Sequence, residues 1–100
     1  MPRHRYSARG YRGHAAKSDA NQKELVAALE QLPGVTVVVI GKPVDLLVGY
    51  RGINHLWEVK NPDGKNRVEP DQQSFFENWT GRTPAVVRSL EDCLRELGLS

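Results

Sequence analysis

Two acidic residues and a lysine lie within short segments that are otherwise apolar. Asp45 belongs to PVDLLVG, and Glu58 and Lys60 belong to LWEVKN. Two carboxylates, a backbone carbonyl such as that of Val59, and water form the oxygen-only ligand set that Mg²⁺ accepts. A lysine beside such an ion can position a water or offset charge, which suits phosphodiester hydrolysis. A plain ion pair between Glu58 and Lys60 at a sheet edge is the alternative.

The two acids can act together only if their segments form neighbouring strands. VDLLVG and INHLWEVK are joined by the short turn YRG, which is typical of a hairpin. A two-residue loop at 51–52 places Asp45 opposite Glu58, and one at 50–51 shifts the register but keeps both acids on one face. A three-residue loop without a bulge would separate them.

In the first of these registers the Cβ atoms of Asp45 and Glu58 would lie about 5 Å apart. Like charges directly opposite each other destabilise a sheet. A cation must therefore offset them, or one of them must be protonated. Lys60 on the same face and a divalent metal ion are both candidates.

Hydrophobic spacing and capping residues predict the other elements. A first helix begins at Ser18 or Asp19, and VTVVVI forms a strand covered on both faces. A second helix runs from Pro70 to near Gly81. PAVVR is a short strand, and Ser89 caps a last helix. The order α-β-β-β-α-β-α predicts an α/β fold, with a small mixed sheet flanked by helices.

Four residues that could carry chemistry are expected to be structural. Cys93 falls on the apolar stripe of the last helix and is expected to be a small core residue. Trp57 and Trp79 are expected in the core, with stacking on nucleobases as the alternative. His55 shares the Trp57 face, away from the acids.

The first 17 residues are basic, and the domain predicted over 18–100 is net acidic. A basic arm of this kind predicts contact with nucleic acid, and the alternative is a solvated tail. One cysteine excludes an internal disulfide and favours the cytoplasm. No apolar run approaches the ~20 residues that span a bilayer, so no membrane partner is expected. The expected DNA contacts of the arm are Arg3, Arg5, Arg9, Arg12 and Lys17.

PVDLLVG and WEVKN resemble the motif of the PD-(D/E)XK nuclease superfamily, in particular its small VRR-NUC-type members from phages and prophages. The flanking segments DANQKELVAAL, EPDQQSFFENWTG and AVVRSLEDCL share this resemblance, which covers roughly residues 18–97. It implies a restriction-endonuclease-like α-β-β-β-α-β core. The chain departs from the motif where Val44 separates Pro43 from Asp45.

The resemblance assigns metal-binding roles to Asp45 and Glu58 and the catalytic lysine role to Lys60. It also implies an acid from the first helix, for which Glu24 is the best match. A solvated first-turn glutamate favoured by the helix dipole is the alternative for Glu24. A glutamine in the helix after the lysine maps onto Gln72.

Gln72 has independent support from helical spacing. It falls on one stripe with Phe75, Phe76 and Trp79, so a polar residue occupies an apolar face. A buried amide needs partners, which an active-site face would supply. A half-exposed first-turn residue is the alternative.

The expected function is that of a Mg²⁺- or Mn²⁺-dependent deoxyribonuclease. The resemblance to Holliday-junction resolvases implies branched DNA as substrate, a homodimer, and the cytoplasm of a bacterial host. Lys65 and Arg67, in the loop after Lys60, are candidates for phosphate contacts. A catalytically inactive DNA-binding protein of the same fold is the main alternative, and a small phage interaction protein is a third possibility.

Overall fold

The computed structural model describes residues 16–64 and 68–100, without the side chains of 16–18, as a four-stranded mixed sheet with three helices. The elements are α1 (Ala16–Glu30), β1 (Val35–Val39), β2 (Leu46–Tyr50), β3 (Ile53–Val59), α2 (Pro70–Asn78), β4 (Ala85–Val87) and α3 (Leu90–Leu97). The strand order is β1-β2-β3-β4, with β1 to β3 antiparallel and β4 parallel to β3. The predicted α/β class and element order are confirmed. Within the described ranges, no helix is long and apolar enough to cross a membrane.

A tight turn fixes the pairing of β2 with β3. The loop is Arg51-Gly52, with φ values of 52° and 79°. Two successive residues with positive φ are the mark of a type I′ hairpin turn, whose twist matches that of the strands. Leu47 consequently pairs with Leu56, which confirms the first of the registers considered above.

This register divides the two central strands between two faces. The face that carries Leu46, Val48, His55, Trp57 and Val59 is called the packed face. The face that carries Asp45, Leu47, Asn54, Leu56, Glu58 and Lys60 is called the open face.

Helices α1 and α3 cover the packed face. The residues that this core buries almost completely include Leu29, Val48, Trp57, Val87 and Cys93. Helix α2 lies over the open face, where Phe75 and Trp79 line a cavity together with Leu47 and Leu56. None of the described residues of α2 is buried as a whole. Only the packed face therefore forms a conventional core.

The predicted cap and core roles at the C-terminus are confirmed. The Ser89 hydroxyl accepts a hydrogen bond from the Asp92 backbone N–H at 3.1 Å and caps α3. Cys93 is fully buried. Burial raises the pKa of its thiol to about 12, so it is an inert core residue.

The predictions for Trp57 and His55 are confirmed, and the prediction for Trp79 is wrong. Trp57 is 1% exposed, and the His55 ring lies on the packed face 5.6 Å from it. The His55 Nδ1 atom accepts a hydrogen bond from Arg82 Nε at 3.1 Å. Burial and the charge of Arg82 lower the pKa of His55. The core prediction for Trp79 is wrong, because 47% of this residue is exposed.

Two element boundaries and the environment of β1 also differ from prediction. Helix α1 is described from Ala16, so Ser18 and Asp19 lie inside it and do not cap it. Ala16 and Lys17 are strong helix formers, which explains why the helix already includes them. Helix α2 ends at Asn78 and not near Gly81. Strand β1 is an edge strand with Thr36 exposed, so its predicted cover on both faces is wrong.

Candidate active site

Asp45 is held at both its backbone and its side chain. Its carbonyl accepts hydrogen bonds from the N–H groups of Ile40 and Gly41 at 2.9 and 3.2 Å. Its carboxylate Oδ2 accepts the Val59 N–H at 2.8 Å. Since the N–H and C=O of one strand residue point to the same side, the Val59 carbonyl is directed to the side on which Asp45 lies. The carboxylate is thus fixed across the end of the hairpin.

Glu58 and Lys60 form a buried ion pair that leaves one oxygen unsatisfied. The Lys60 Nζ lies 3.3 Å from Glu58 Oε2, and the two side chains are 11% and 7% exposed. This separation exceeds the roughly 2.7–2.9 Å of a strong charge-assisted hydrogen bond. The other oxygen, Glu58 Oε1, is buried and has no hydrogen-bond partner among the described residues. A buried acceptor without a partner is costly, so this position suits a further donor or a cation.

The surroundings of Asp45, which lies next to Glu58, favour retention of a proton on the Asp45 carboxyl group. Continuing the register by one residue sets Asp45 opposite Glu58. Burial, followed by the charge of Glu58, raises the pKa of Asp45 to about 7, and a side-chain hydrogen bond with Glu58 adds to this shift. The Val59 N–H and Lys60 oppose it. A carboxyl group with a raised pKa next to a second carboxyl group is a local environment that a divalent cation would stabilise by displacing the proton.

Gln72 presents a second buried oxygen without a partner. Its Oε1 is buried and finds no hydrogen-bond partner in the described ranges. Phe75, three residues on, lines the cavity on the open face, so Gln72 lies on the side of α2 that faces the sheet. The burial of its amide oxygen agrees with its place on the apolar stripe. Its role in a site stays a prediction.

Asn21 is a site-positioning residue that the sequence analysis did not identify. It is buried, and its amide donates to the carbonyls of Lys60 and Arg88 at 2.8 and 3.1 Å. One side chain thereby ties α1 to the ends of β3 and β4. The signal was a polar residue four positions before Leu25 on the apolar stripe of α1, the same signal that marked Gln72.

Glu24 does not join the acids in a three-carboxylate cluster. It is exposed and lines a separate shallow cavity of about 340 Å³ with Asn61 and Asp63. Across the residues that the structure describes, no group of three or more His, Cys, Asp or Glu side chains could hold a metal ion. The structure therefore brings together Asp45, Glu58 and Lys60.

The predicted DNA contacts fall mostly outside the described residues. This holds for Arg3, Arg5, Arg9, Arg12, Lys65 and Arg67. The backbone of Lys17 belongs to α1. Contacts of these seven residues with DNA stay predictions.

The donor set fits a hard divalent cation. It consists only of oxygen atoms, from the Asp45 carboxylate, Glu58 Oε1 and the Val59 carbonyl. Mg²⁺ and Mn²⁺ prefer such ligands and keep several waters. The unsatisfied Glu58 oxygen is the feature that such an ion would satisfy. The arrangement can therefore place a cation, a water and an ammonium group within one small region.

Comparison of the chain with protein-family models, with curated proteins and with solved structures gives no match. The likeness to PD-(D/E)XK nucleases consequently rests on the residues of the chain itself.

Proposed function

We propose that this protein is a Mg²⁺- or Mn²⁺-dependent endonuclease that hydrolyses phosphodiester bonds in DNA at Asp45, Glu58 and Lys60. The observation that supports it most strongly is the buried Glu58 beside Asp45, because Glu58 Oε1 has no partner among the described residues once Asp45 is ionised. A purely structural ion pair would be expected to satisfy its buried oxygens. Burial of a carboxylate that stays incompletely paired, beside a second acid with a raised pKa, is typical of functional sites.

Each of the three side chains has a distinct role in this proposal. Asp45 and Glu58 hold the ion, with the Val59 carbonyl as a further ligand. A bound divalent ion supplies positive charge to the phosphate and acidifies water. Lys60 orients the attacking water and offsets the charge that develops as the new P–O bond forms and the bond to the leaving sugar oxygen breaks.

The proposal extends to fold, substrate and partners. The element order α-β-β-β-α-β agrees with the restriction-endonuclease-like core that the resemblance implies. Branched DNA, a homodimer with two sites, and action in a bacterial host cell are likewise proposed from the resemblance. The basic residues of 1–17 would add phosphate contacts that carry no sequence information.

One observation favours the alternative of an inactive DNA-binding protein. The 3.3 Å contact between Lys60 and Glu58 pairs the lysine with an acid of its own chain. Such a protein would bind DNA in a salt-dependent manner and would cleave nothing with any metal.

A cleavage assay with Lys60→Ala separates the two functions. Plasmid, linear and four-way-junction DNA are incubated with Mg²⁺, with Mn²⁺ or with EDTA. We expect Lys60→Ala to lose at least about 100-fold in turnover while DNA affinity changes little, because the lysine acts mainly in the transition state. Lys23→Ala, an exposed lysine on α1, is the matched control and should cleave like the wild type.

The outcomes are distinct. Wild-type rates in Lys60→Ala would reject the assigned mechanism. A wild-type protein that binds DNA but cleaves none of the substrates with either metal would support the inactive binding protein. Melting temperatures of both variants show whether a loss of cleavage reflects loss of the fold.

A further inference from the structure

A large apolar cavity lies between α2 and the open face. Its volume is about 570 Å³, within the range of about 300–1,000 Å³ that small-ligand sites occupy. Leu47 and Leu56 of the sheet and Phe75 and Trp79 of the helix side line it. Trp79 is about half exposed here. Large apolar surface that the protein leaves uncovered is typical of binding sites.

The cavity continues directly from the candidate active site. Leu56 precedes Glu58 by two residues and Leu47 follows Asp45 by two, on the same face of the sheet. Two residues of a strand span about 7 Å, and one stacked nucleotide step along a DNA strand spans about 3.4 Å. A DNA strand that runs along β3, with its scissile phosphate at Asp45 and Glu58, would therefore carry a base over this cavity. That base would lie one or two nucleotides from the scissile phosphate.

Trp79 is held in position at the cavity mouth. Its ring centroid lies 5.3 Å from that of Phe75. A Cβ atom at position 81 would lie 2.7 Å from the indole Nε1, so the indole edge rests on the backbone of Gly81, where a side chain would displace it. The ring is thus supported from two sides and still half exposed. A supported, exposed aromatic ring is the type of surface on which nucleobases stack.

The polar residues at the cavity fit a base better than a phosphate. Asn54 is exposed there and offers an amide donor and acceptor, the groups that pair with base edges. Arg82 also lines the cavity, and two of its five N–H groups donate to His55 Nδ1 and to the Glu96 carbonyl at 3.1 and 3.4 Å, which holds the guanidinium in place. An apolar floor, an aromatic wall and an amide match a flat heterocycle.

We propose that this cavity binds an unpaired nucleobase, one or two nucleotides from the scissile phosphate, by stacking on Trp79. The inference rests on the proposed nuclease function and specifies its substrate class. A base within continuous duplex is stacked on both sides and must leave the stack to enter a pocket. The enzyme consequently selects DNA with unpaired nucleotides near the cleavage point, such as single strands, flaps and open junctions.

Tryptophan fluorescence in EDTA tests this binding without cleavage. Trp57 is 1% exposed, so iodide should quench Trp79 alone. We expect a twelve-nucleotide oligothymidylate to protect Trp79 from iodide. An abasic oligomer of the same length and charge should not, because it has phosphates without bases.

Variants measure the stacking contact itself, with binding followed by anisotropy of the labelled oligonucleotide. Trp79→Ala should raise the Kd for the oligothymidylate about tenfold. This equals about 1.4 kcal/mol and lies in the range for loss of one base–aromatic stack. Trp79→Phe should retain most of the affinity, and Gly81→Ala should fall between the two because it displaces the indole. Leu99→Ala, an exposed residue outside the cavity, is the matched control.

Three results would overturn the inference. Equal protection by the abasic oligomer would mean that only phosphates bind. Protection of Trp79 that grows with protein concentration in the absence of DNA would mean that a second copy of the chain covers the cavity. An unchanged Kd in Trp79→Ala would remove the stacking contact. None of these depends on cleavage, so failure of the nuclease proposal and failure of the nucleobase site remain distinguishable.

Discussion

The two faces of the sheet differ in how closely their side chains are packed. On the packed face, two helices bury Leu29, Val48 and Trp57 almost completely. On the open face, α2 buries none of its described residues and leaves a cavity of about 570 Å³. The open face also holds the ionisable side chains of Asp45, Glu58 and Lys60. Close packing and room for a substrate are thus separated onto opposite sides of one thin layer.

This small domain obtains most of its stability from the packed face. Buried apolar area contributes about 25 cal/mol per Å², and the packed face holds the continuous apolar cluster. The open face places two acids next to each other, which opposes folding. Stability should therefore respond strongly to changes on one face, and ligand binding should respond to changes on the other.

The largest expected effect compares Leu29→Ala with Phe75→Ala. Leu29 is fully buried under the packed face, so its truncation should lower the free energy of unfolding by about 2–5 kcal/mol. Phe75 is half-buried beside an existing cavity, and we expect a loss of roughly 1–2 kcal/mol, because little new void is created. Urea denaturation of both variants gives the difference. Equal losses would mean that α2 is packed as firmly as α1.

The next effect is the dependence of stability on pH in EDTA. The pKa of Asp45 rises from 3.8 to about 7 in the folded protein, mainly through burial. Between these values the folded state keeps a proton that the unfolded state has released. The free energy of unfolding should therefore fall as pH rises, by up to about 1.4 kcal/mol per pH unit. This contribution is fully present below pH 3.8 and lost by about pH 7.

Asp45→Asn should flatten this dependence, because an amide does not titrate. Above pH 7 it should also be more stable than the wild type, since it lacks the repulsion from Glu58. Asp71→Asn, an exposed acid on α2, is the matched control and should retain the wild-type slope. A slope that persists in Asp45→Asn would assign the titration to another group.

The smallest of these effects is stabilisation by metal. At 100 times its Kd, Mn²⁺ should stabilise the wild type by about 2.7 kcal/mol, and Asp45→Asn should gain little because it lacks a ligand. Melting temperatures in EDTA and across a Mn²⁺ titration measure this, with and without a DNA duplex that can add a phosphate ligand. No shift in either series, together with no cleavage, would favour a structural ion pair and would make the open face only a poorly packed one.

Local rules predicted the arrangement of the acids. Alternation along the strands and a short turn limited the register to a few possibilities, two of which kept both acids on one face, since both signals act within a few residues. The structure selects the loop at 51–52. The exposure of Trp79 was not predictable in this way. Helical spacing identifies the apolar stripe of α2, but it does not reveal whether the sheet beneath is filled. The partners of Asn21 were hidden for a related reason, because they lie 39 and 67 residues away in the chain.

The two hydrogen bonds of Asn21 also determine the order in which the site can form during synthesis of the chain. Asn21 is synthesised before both of its carbonyl partners, and the second of them, on Arg88, follows 67 residues later. At about 5–20 residues per second, that delay is about 3 to 13 s. Until then the amide that ties β3 to β4 has only one of its two carbonyl partners, and the end of the strand that carries Lys60 is not fully fixed. The candidate active site is therefore completed only after Arg88 has been synthesised, when the end of β4 reaches α1.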